Sequence, residues 1–276
     1  MMGREFFTMP DIRLVATDLD GTLFYDRANI TPRDRAMLAR LRGRGILLCA
    51  ATGRELAAVR PAFDRLRLWD SFDYIMHSGG AAIYHIREQR DELLGELSAG
   101  QLCTLIERYQ NRDITLILPL DGHYYASRRT PILERECALL RYELEVCPDL
   151  RTAVSHGNTK LIMNGTAEQV EAILPDVLAD PDPACQWHRS HDNYIDCYAR
   201  GVHKGSALTA LCEKLGISPA QTMAIGDNEN DLQLLAAAGI AGCPGDGTPN
   251  AKAASDYVAC AAAEGAFADF CEYFLF

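Results

Sequence analysis

No stretch of this 276-residue sequence is apolar for long enough to span a membrane. Its N-terminus has no apolar core of signal-peptide type, so a cytoplasmic protein is expected. Basic residues are in the minority: 27 Lys and Arg face 38 Asp and Glu, leaving a net charge of -11. That balance argues against sequence-independent binding to nucleic acid or to an acidic membrane surface. It also means that an anionic substrate must be drawn in by local positive charge. Low-complexity tracts and internal repeats are absent. The ten cysteines include no Cys-x-x-Cys pair, and several sit in apolar runs, such as Cys49 in Ile46–Ala50 and Cys197 in Tyr194–Tyr198. They read as buried reduced thiols rather than disulfides or metal ligands. An ordinary apolar content of 48% with 24% charged residues remains, at a length that suits about two domains.

The outer parts of the chain alternate strand and helix. An apolar strand is expected at 12–17. A helix follows from Thr31 as N-cap and Pro32 at the first helical position, and stops at Gly43 and Gly45. Ile46–Ala51 is a continuous apolar strand, Glu55–Leu66 a helix, and Tyr74–Met76 a strand ending in Ser78-Gly79-Gly80. The rhythm returns after Lys204. A helix runs to Gly216, and the strand Thr222–Ile225 ends at Gly226-Asp227. A helix from Asp231, short strands near Ile240 and Tyr257, and a last helix at about 264–274 complete the chain. Alternation of this kind predicts an α/β fold with a Rossmann-like parallel-sheet core. The middle has a different rhythm, with a hairpin signal at Leu120-Asp121-Gly122 and paired strands at 185–189 and 193–198. It is expected to be an inserted α+β lid over 85–197, with the core formed by 1–84 and 198–276.

Two carboxylates two residues apart, Asp18 and Asp20, stand where the first strand ends, followed by Gly21. Side chains at i and i+2 of an extended chain point the same way. Two such carboxylates repel unless a cation or a proton lies between them. A strand followed by an Asp-Gly turn reads equally well locally. A calcium loop does not, because counting from Asp18 places Leu23 where Gly is needed and Asn29 where Glu is needed. Functional groups in open parallel sheets gather at the carboxyl ends of the strands. There the chain places Asp18, Asp20, Thr52, Gly53, Arg54, Asp227, Asn230 and Asp231, with Lys204 opening the first helix after the insertion. Each has a plainer use: Thr52 or Asp231 as a helix cap, Asp227 as a turn residue, Lys204 as a solvated lysine. Together they are an inventory for Mg²⁺ and a phosphoryl group, since the metal wants hard oxygens and the phosphate wants lysine, hydroxyl and helix-start amides.

The order Asp18-Leu19-Asp20-Gly21-Thr22-Leu23, Thr52-Gly53-Arg54, Lys204-Gly205 and Gly226-Asp227-Asn228-Glu229-Asn230-Asp231 resembles the haloacid dehalogenase superfamily. The large insertion between the second and third motifs is similar to that of its Cof-type sugar-phosphate phosphatases, which carry a type-2 cap. The resemblance implies a Mg²⁺-dependent phosphatase acting on a small phosphorylated metabolite. It implies Asp18 as nucleophile, forming an aspartyl phosphate, and Asp20 as the acid and then the base. It implies a metal held by Asp18, the backbone carbonyl of Asp20, Asp227 and Asp231. It implies phosphoryl contacts from Thr52, the Gly53 amide, Lys204 and Asn230. Two places depart from the pattern: Gly79 stands where the family often has Asn, and Gly245-Asp246-Gly247 stands where it often has Gly-Asn-Ala. A phosphomutase, which would need a bisphosphate activator, and a non-catalytic binder of phosphometabolites are the alternatives. Arg54, His123, Tyr124, His156 and His191 are candidates to line the pocket, each with a surface or packing role as the plainer reading.

Overall fold

Residues 11–26 and 29–276 are described by the computed structural model. The first ten residues of the expected core, and residues 27–28, lie outside them. The first apolar run becomes strand β1 (Leu14–Asp18), with all five residues buried. Thr31 caps α1 (Pro32–Gly43) by accepting the Asp34 amide. β2 (Leu47–Ala51), α2 (Leu56–Leu66) and β3 (Tyr74–His77) follow. Two more strands extend the same sheet antiparallel: β4 (Ala82–His85) on β3, and β5 (Arg90–Leu93) on β4.

The chain then builds a second sheet. A Ser98–Gln101 capping box starts α3 (Ala99–Tyr109). β6 (Thr115–Leu120) and β7 (His123–Ala126) pair as the expected hairpin. Asp121 and Gly122 both take positive φ, 49° and 83°, as a two-residue turn between right-twisted strands requires. After α4 (Pro131–Leu140), β8 (Glu143–Val146), β9 (Leu161–Asn164), α5 (Ala167–Leu178), β10 (Cys185–His191) and β11 (Tyr194–Ala199), the order is β10-β11-β9-β6-β7-β8. Strict alternation divides the two faces. Leu116, Leu118, Leu161, Met163, Ile195 and Cys197 pack with α3 and α5. Ile117 and Ile162 pack instead with α4 and with Ala58 of α2, so this second face looks onto the first sheet's end.

The chain returns through α6 (Lys204–Leu215), β12 (Thr222–Ile225), α7 (Leu232–Ala237), β13 (Ile240–Cys243), α8 (Pro249–Ala253), β14 (Tyr257–Val258) and α9 (Ala266–Leu275). The first sheet reads β14-β13-β12-β1-β2-β3-β4-β5. Its pairing is parallel from β14 to β3. The winding reverses at β1, between β2 and β12, and such a switch point leaves a crevice at the strands' carboxyl ends. Leu14 and Ala16 pack with α6 and α7 on one face, and Val15 packs with α1 and α9 on the other.

β4 and β5 belong to the first sheet, and the chain leaves it after Leu93. β11 runs to Ala199. β5 is illegible in sequence because Arg90-Asp91-Glu92-Leu93 is an edge strand with three of its four residues exposed. Its backbone pairing with β4 holds it, without apolar alternation. β8 is short and largely exposed, and α8 is a five-residue helix, so neither has a periodicity to read. All ten cysteines are free and none is exposed. Among the described residues, no helix is long and apolar enough to cross a membrane.

Candidate active site

Alternation along β1 points Leu14, Ala16 and Asp18 to the α6 face. The first residue of α6 meets Asp18 there. Lys204 is 1% exposed, and its Nζ lies 2.6 Å from Asp18 Oδ1 and 2.6 Å from Asp231 Oδ1. Beyond Asp18 the chain turns sharply. Gly21 has φ +84°, and a Cβ there would stand 2.6 Å from Asp227 Oδ2. Only glycine meets both demands. Thr22 donates to Asp227 Oδ1 at 2.9 Å. Asp231 accepts the Asp227 and Asn228 amides at 3.1 and 3.2 Å, which fixes the turn after β12. Asp18, Asp227 and Asp231 thus bring one carboxylate oxygen each within 4.8 Å of one another.

Such crowding has an electrostatic cost. Burial pushes the Asp18 carboxyl well above the ordinary range; Lys204 pulls it back, and Asp231, Asp227 and Asp20 push it up further. Burial, then Asp231, raises Asp227 to about 7, against the Thr22 hydrogen bond. Burial alone would strip Lys204 of its proton, but Asp18 and Asp231 outweigh it and hold the ammonium above its usual pKa. A buried cluster of hard oxygens, short of positive charge, fits a divalent cation such as Mg²⁺. A carboxyl raised in the folded state contributes stability below the ordinary carboxylate range, and loses it as pH rises through its folded pKa. In metal-free buffer, Asp227→Asn is therefore expected to melt above the native protein, the gap opening between about pH 4 and the raised value of about 7. A gap that closes with rising pH in thermal melts contradicts this charge arrangement.

The acid cluster opens on a cleft of about 660 Å³ between the two sheets. Asp18, Asp20, Thr52, Gly53, Arg54, Asp227 and Asn230 all line it. Lys204 and Asp231 do not; they lie buried behind Asp18. Asp20 turns away from the acid cluster and pairs through both carboxylate oxygens with Arg54, whose Nε lies 2.7 Å from Oδ2. Its carboxylate is outside the expected metal set, for which the expectation used its backbone carbonyl. The Thr52 hydroxyl accepts the Arg54 amide at 3.1 Å. Of the other candidates, Tyr124 and His191 line the cleft. His123 pairs instead with Glu143 on an exposed hairpin, and His156 with its exposed neighbour Ser155.

The sequence pattern of the haloacid dehalogenase-like hydrolases matches residues 15–270, nearly the whole described chain. The chain belongs to that family. The HMP-PP phosphatase of Escherichia fergusonii is 26% identical over 247 residues, 87% of each chain. That of Klebsiella pneumoniae is 25% identical over 244 residues, again 87% of each. Among solved structures, a haloacid dehalogenase-like hydrolase from Bacteroides thetaiotaomicron matches with a TM-score of 0.83 at 22% identity, over 95% of this chain and 99% of that one. The HAD subclass IIB sugar phosphatase BT4131 matches at 0.79 and 20% identity, over 95% and 98%. The protein is an enzyme, a phosphatase of the haloacid dehalogenase-like family.

The two departures from the family pattern have local causes. Gly79 has φ +67°, and a Cβ there would stand 2.4 Å from Tyr198 Cζ. The ring of Tyr198, from the end of β11, takes the room that a side chain at 79 would need. Asp246 accepts the Ala262 amide at 3.0 Å and is not among the residues lining the cleft. Among the cleft residues without a signal strong enough to name them from sequence are Glu55, Tyr142, Lys160 and Asp196. Tyr142 donates to Glu55 Oε2 at 2.9 Å. Burial raises the Glu55 carboxyl, which Lys160 and then Tyr142 pull back. Lys160 and Asp196 carried a faint signal. Each is a charge beside or inside an apolar strand, on the parity of Ile162 rather than that of Leu161 and Met163.

Proposed function

We propose that this phosphatase hydrolyses a small phosphorylated metabolite by phosphoryl transfer to Asp18, with Mg²⁺ as its cation. The observation that carries the reading is the end of β1. A buried carboxylate with an ammonium at 2.6 Å is crowded by two more carboxylates at the floor of a cleft sized for a small ligand. Asp18 attacks phosphorus while the bond to the leaving oxygen breaks, and Asp20 gives that oxygen its proton. Asp20 then takes a proton from the water that attacks the acyl phosphate, releasing inorganic phosphate and restoring Asp18. Asp20 can do this only from the cleft wall, where its pairing with Arg54 holds it. The Thr52 hydroxyl, the Gly53 amide and the Asn230 side chain hold the phosphoryl oxygens, and Lys204 offsets charge from behind Asp18. When bound on Asp18, Asp227, Asp231 and the Asp20 carbonyl, Mg²⁺ supplies the charge that lets a carboxylate approach a phosphate dianion.

The body between residues 94 and 199 serves as a cap over the cleft and selects the leaving group; Tyr124 and His191 on its cleft side support this. The names of the HMP-PP phosphatases and of the sugar phosphatase agree with a small phosphorylated substrate. Ten free cysteines, none exposed, suit a reducing compartment such as the cytoplasm. The test is release of inorganic phosphate from a panel of phosphorylated metabolites, with Mg²⁺ and then with a chelator. Turnover that the chelator abolishes is expected. Turnover that survives metal removal, or that requires a bisphosphate activator, overturns the reading.

A further inference from the structure

The Gly53–Arg54 peptide is held at both ends. Its N–H donates to the Thr52 hydroxyl at 3.1 Å, and its C=O accepts from Lys160 Nζ at 3.0 Å. The first partner belongs to the first sheet's body and the second to the other. Lys160 is 6% exposed. Its backbone is anchored, since its N–H donates to Asn158 Oδ1 at 3.2 Å and Asn158 in turn donates to the Pro119 carbonyl. The Asp196 carboxylate lies 4.0 Å from its ammonium. Asp196 and Glu55 supply the counter-charge that a buried ammonium requires, while its hydrogen bond goes to the Gly53 carbonyl. One residue beyond Arg54, Tyr142 grips Glu55 from the same side. Two side chains of the second body therefore clasp residues 53 and 55, on either side of the arginine that pairs with Asp20.

We propose that Lys160 is a positioning residue, which fixes the 52–55 turn from the opposite body and so completes the phosphoryl subsite only when the two bodies are together. The Thr52 oxygen accepts the Arg54 amide, so its own proton is directed elsewhere. Only then is that proton free for a phosphoryl oxygen in the cleft. Tilting the 53–54 peptide would release the Thr52 hydroxyl and shift Arg54 against Asp20 in one movement. Lys160 resists that tilt at the carbonyl end, and hydrogen bonds at both ends of one peptide reinforce each other.

This inference rests on the phosphatase reading, and the experiment separates the two. Kinetics are measured for the native protein, Lys160→Met and Lys160→Arg on an aryl phosphate and on an alkyl phosphate, with competitive inhibition by inorganic phosphate alongside. Losing a charged donor from a buried acceptor is worth roughly ten- to a hundred-fold. Lys160→Met is expected to lose that factor in kcat/KM on both substrates and to bind inorganic phosphate correspondingly more weakly. Lys160→Arg, which still donates to the carbonyl, is expected to recover most of it. Unchanged inhibition by inorganic phosphate, or a loss confined to one leaving group, overturns the proposal. Should Lys160→Met fail to fold, Tyr142→Phe is read in its place: phosphate inhibition weakened several-fold carries the proposal, and native inhibition overturns it. A native protein without phosphatase activity would sink the functional reading itself, a result that no outcome with the variants imitates.

Discussion

Asp18→Asn is expected to lower phosphate release by roughly 10⁴-fold or more while leaving the protein folded. The loss is large because the amide keeps the shape of the side chain and removes the nucleophile. Folding should survive for a reason visible in the site. Asp18 is held unfavourably, its carboxyl pushed up by burial and by three neighbouring acids. An uncharged isostere relieves that crowding, and Lys204 keeps its contact with Asp231 at 2.6 Å. Native melting behaviour together with absent turnover on an aryl phosphate and Mg²⁺ is the expected pair of results. Full activity in this variant would remove Asp18 from the centre of the mechanism.

Lys204→Met should have the largest effect on stability. The native ammonium is the buried cation between Asp18 and Asp231, at 2.6 Å from each. Methionine fills similar space but leaves buried carboxylates without it. Breaking a buried pair from one side costs about 3–5 kcal/mol, because the remaining charge stays buried and unpaired. Two conditions should return part of that loss. At pH 5, Asp227, whose carboxyl is already raised to about 7, takes up a proton and the repulsion subsides. Millimolar Mg²⁺ replaces the missing charge if the acids hold a cation as proposed. Denaturant midpoints at pH 8 and pH 5, with and without Mg²⁺, measure all three terms. A variant as stable as the native protein at pH 8 without metal would show that the crowding of carboxylates carries little energy.

Most of the first sheet was legible because its strands are buried on both faces. Leu14–Ala16 of β1, Ala50 and Ala51 of β2, and Met223–Ile225 of β12 are buried and apolar or small, and such runs stand out between capped helices. Polar residues at the ends of those runs were legible for the same reason, as interruptions at predictable places. β5 and β8 were not, since an edge strand is held by backbone hydrogen bonds that any sequence can make.

The cleft's other wall was hidden for a different reason. Lys160 and Tyr142 are, along the chain, a lysine beside an apolar strand and a tyrosine after a helix. Their meaning lies in Gly53 and Glu55, 107 and 87 positions away.

What the chain determined by itself was therefore the set of candidate groups and the common sheet edge where they gather. Burial demands a pattern in sequence, and functional groups at strand ends break that pattern visibly. Tertiary structure alone decided the pairing. Lys204 lies behind Asp18 rather than in the cleft wall, Asp20 turns to Arg54, Tyr198 fills the space over Gly79, and Lys160 reaches the turn at 53. Each of these depends on distances between segments far apart in the chain, and no local periodicity encodes a distance of that kind.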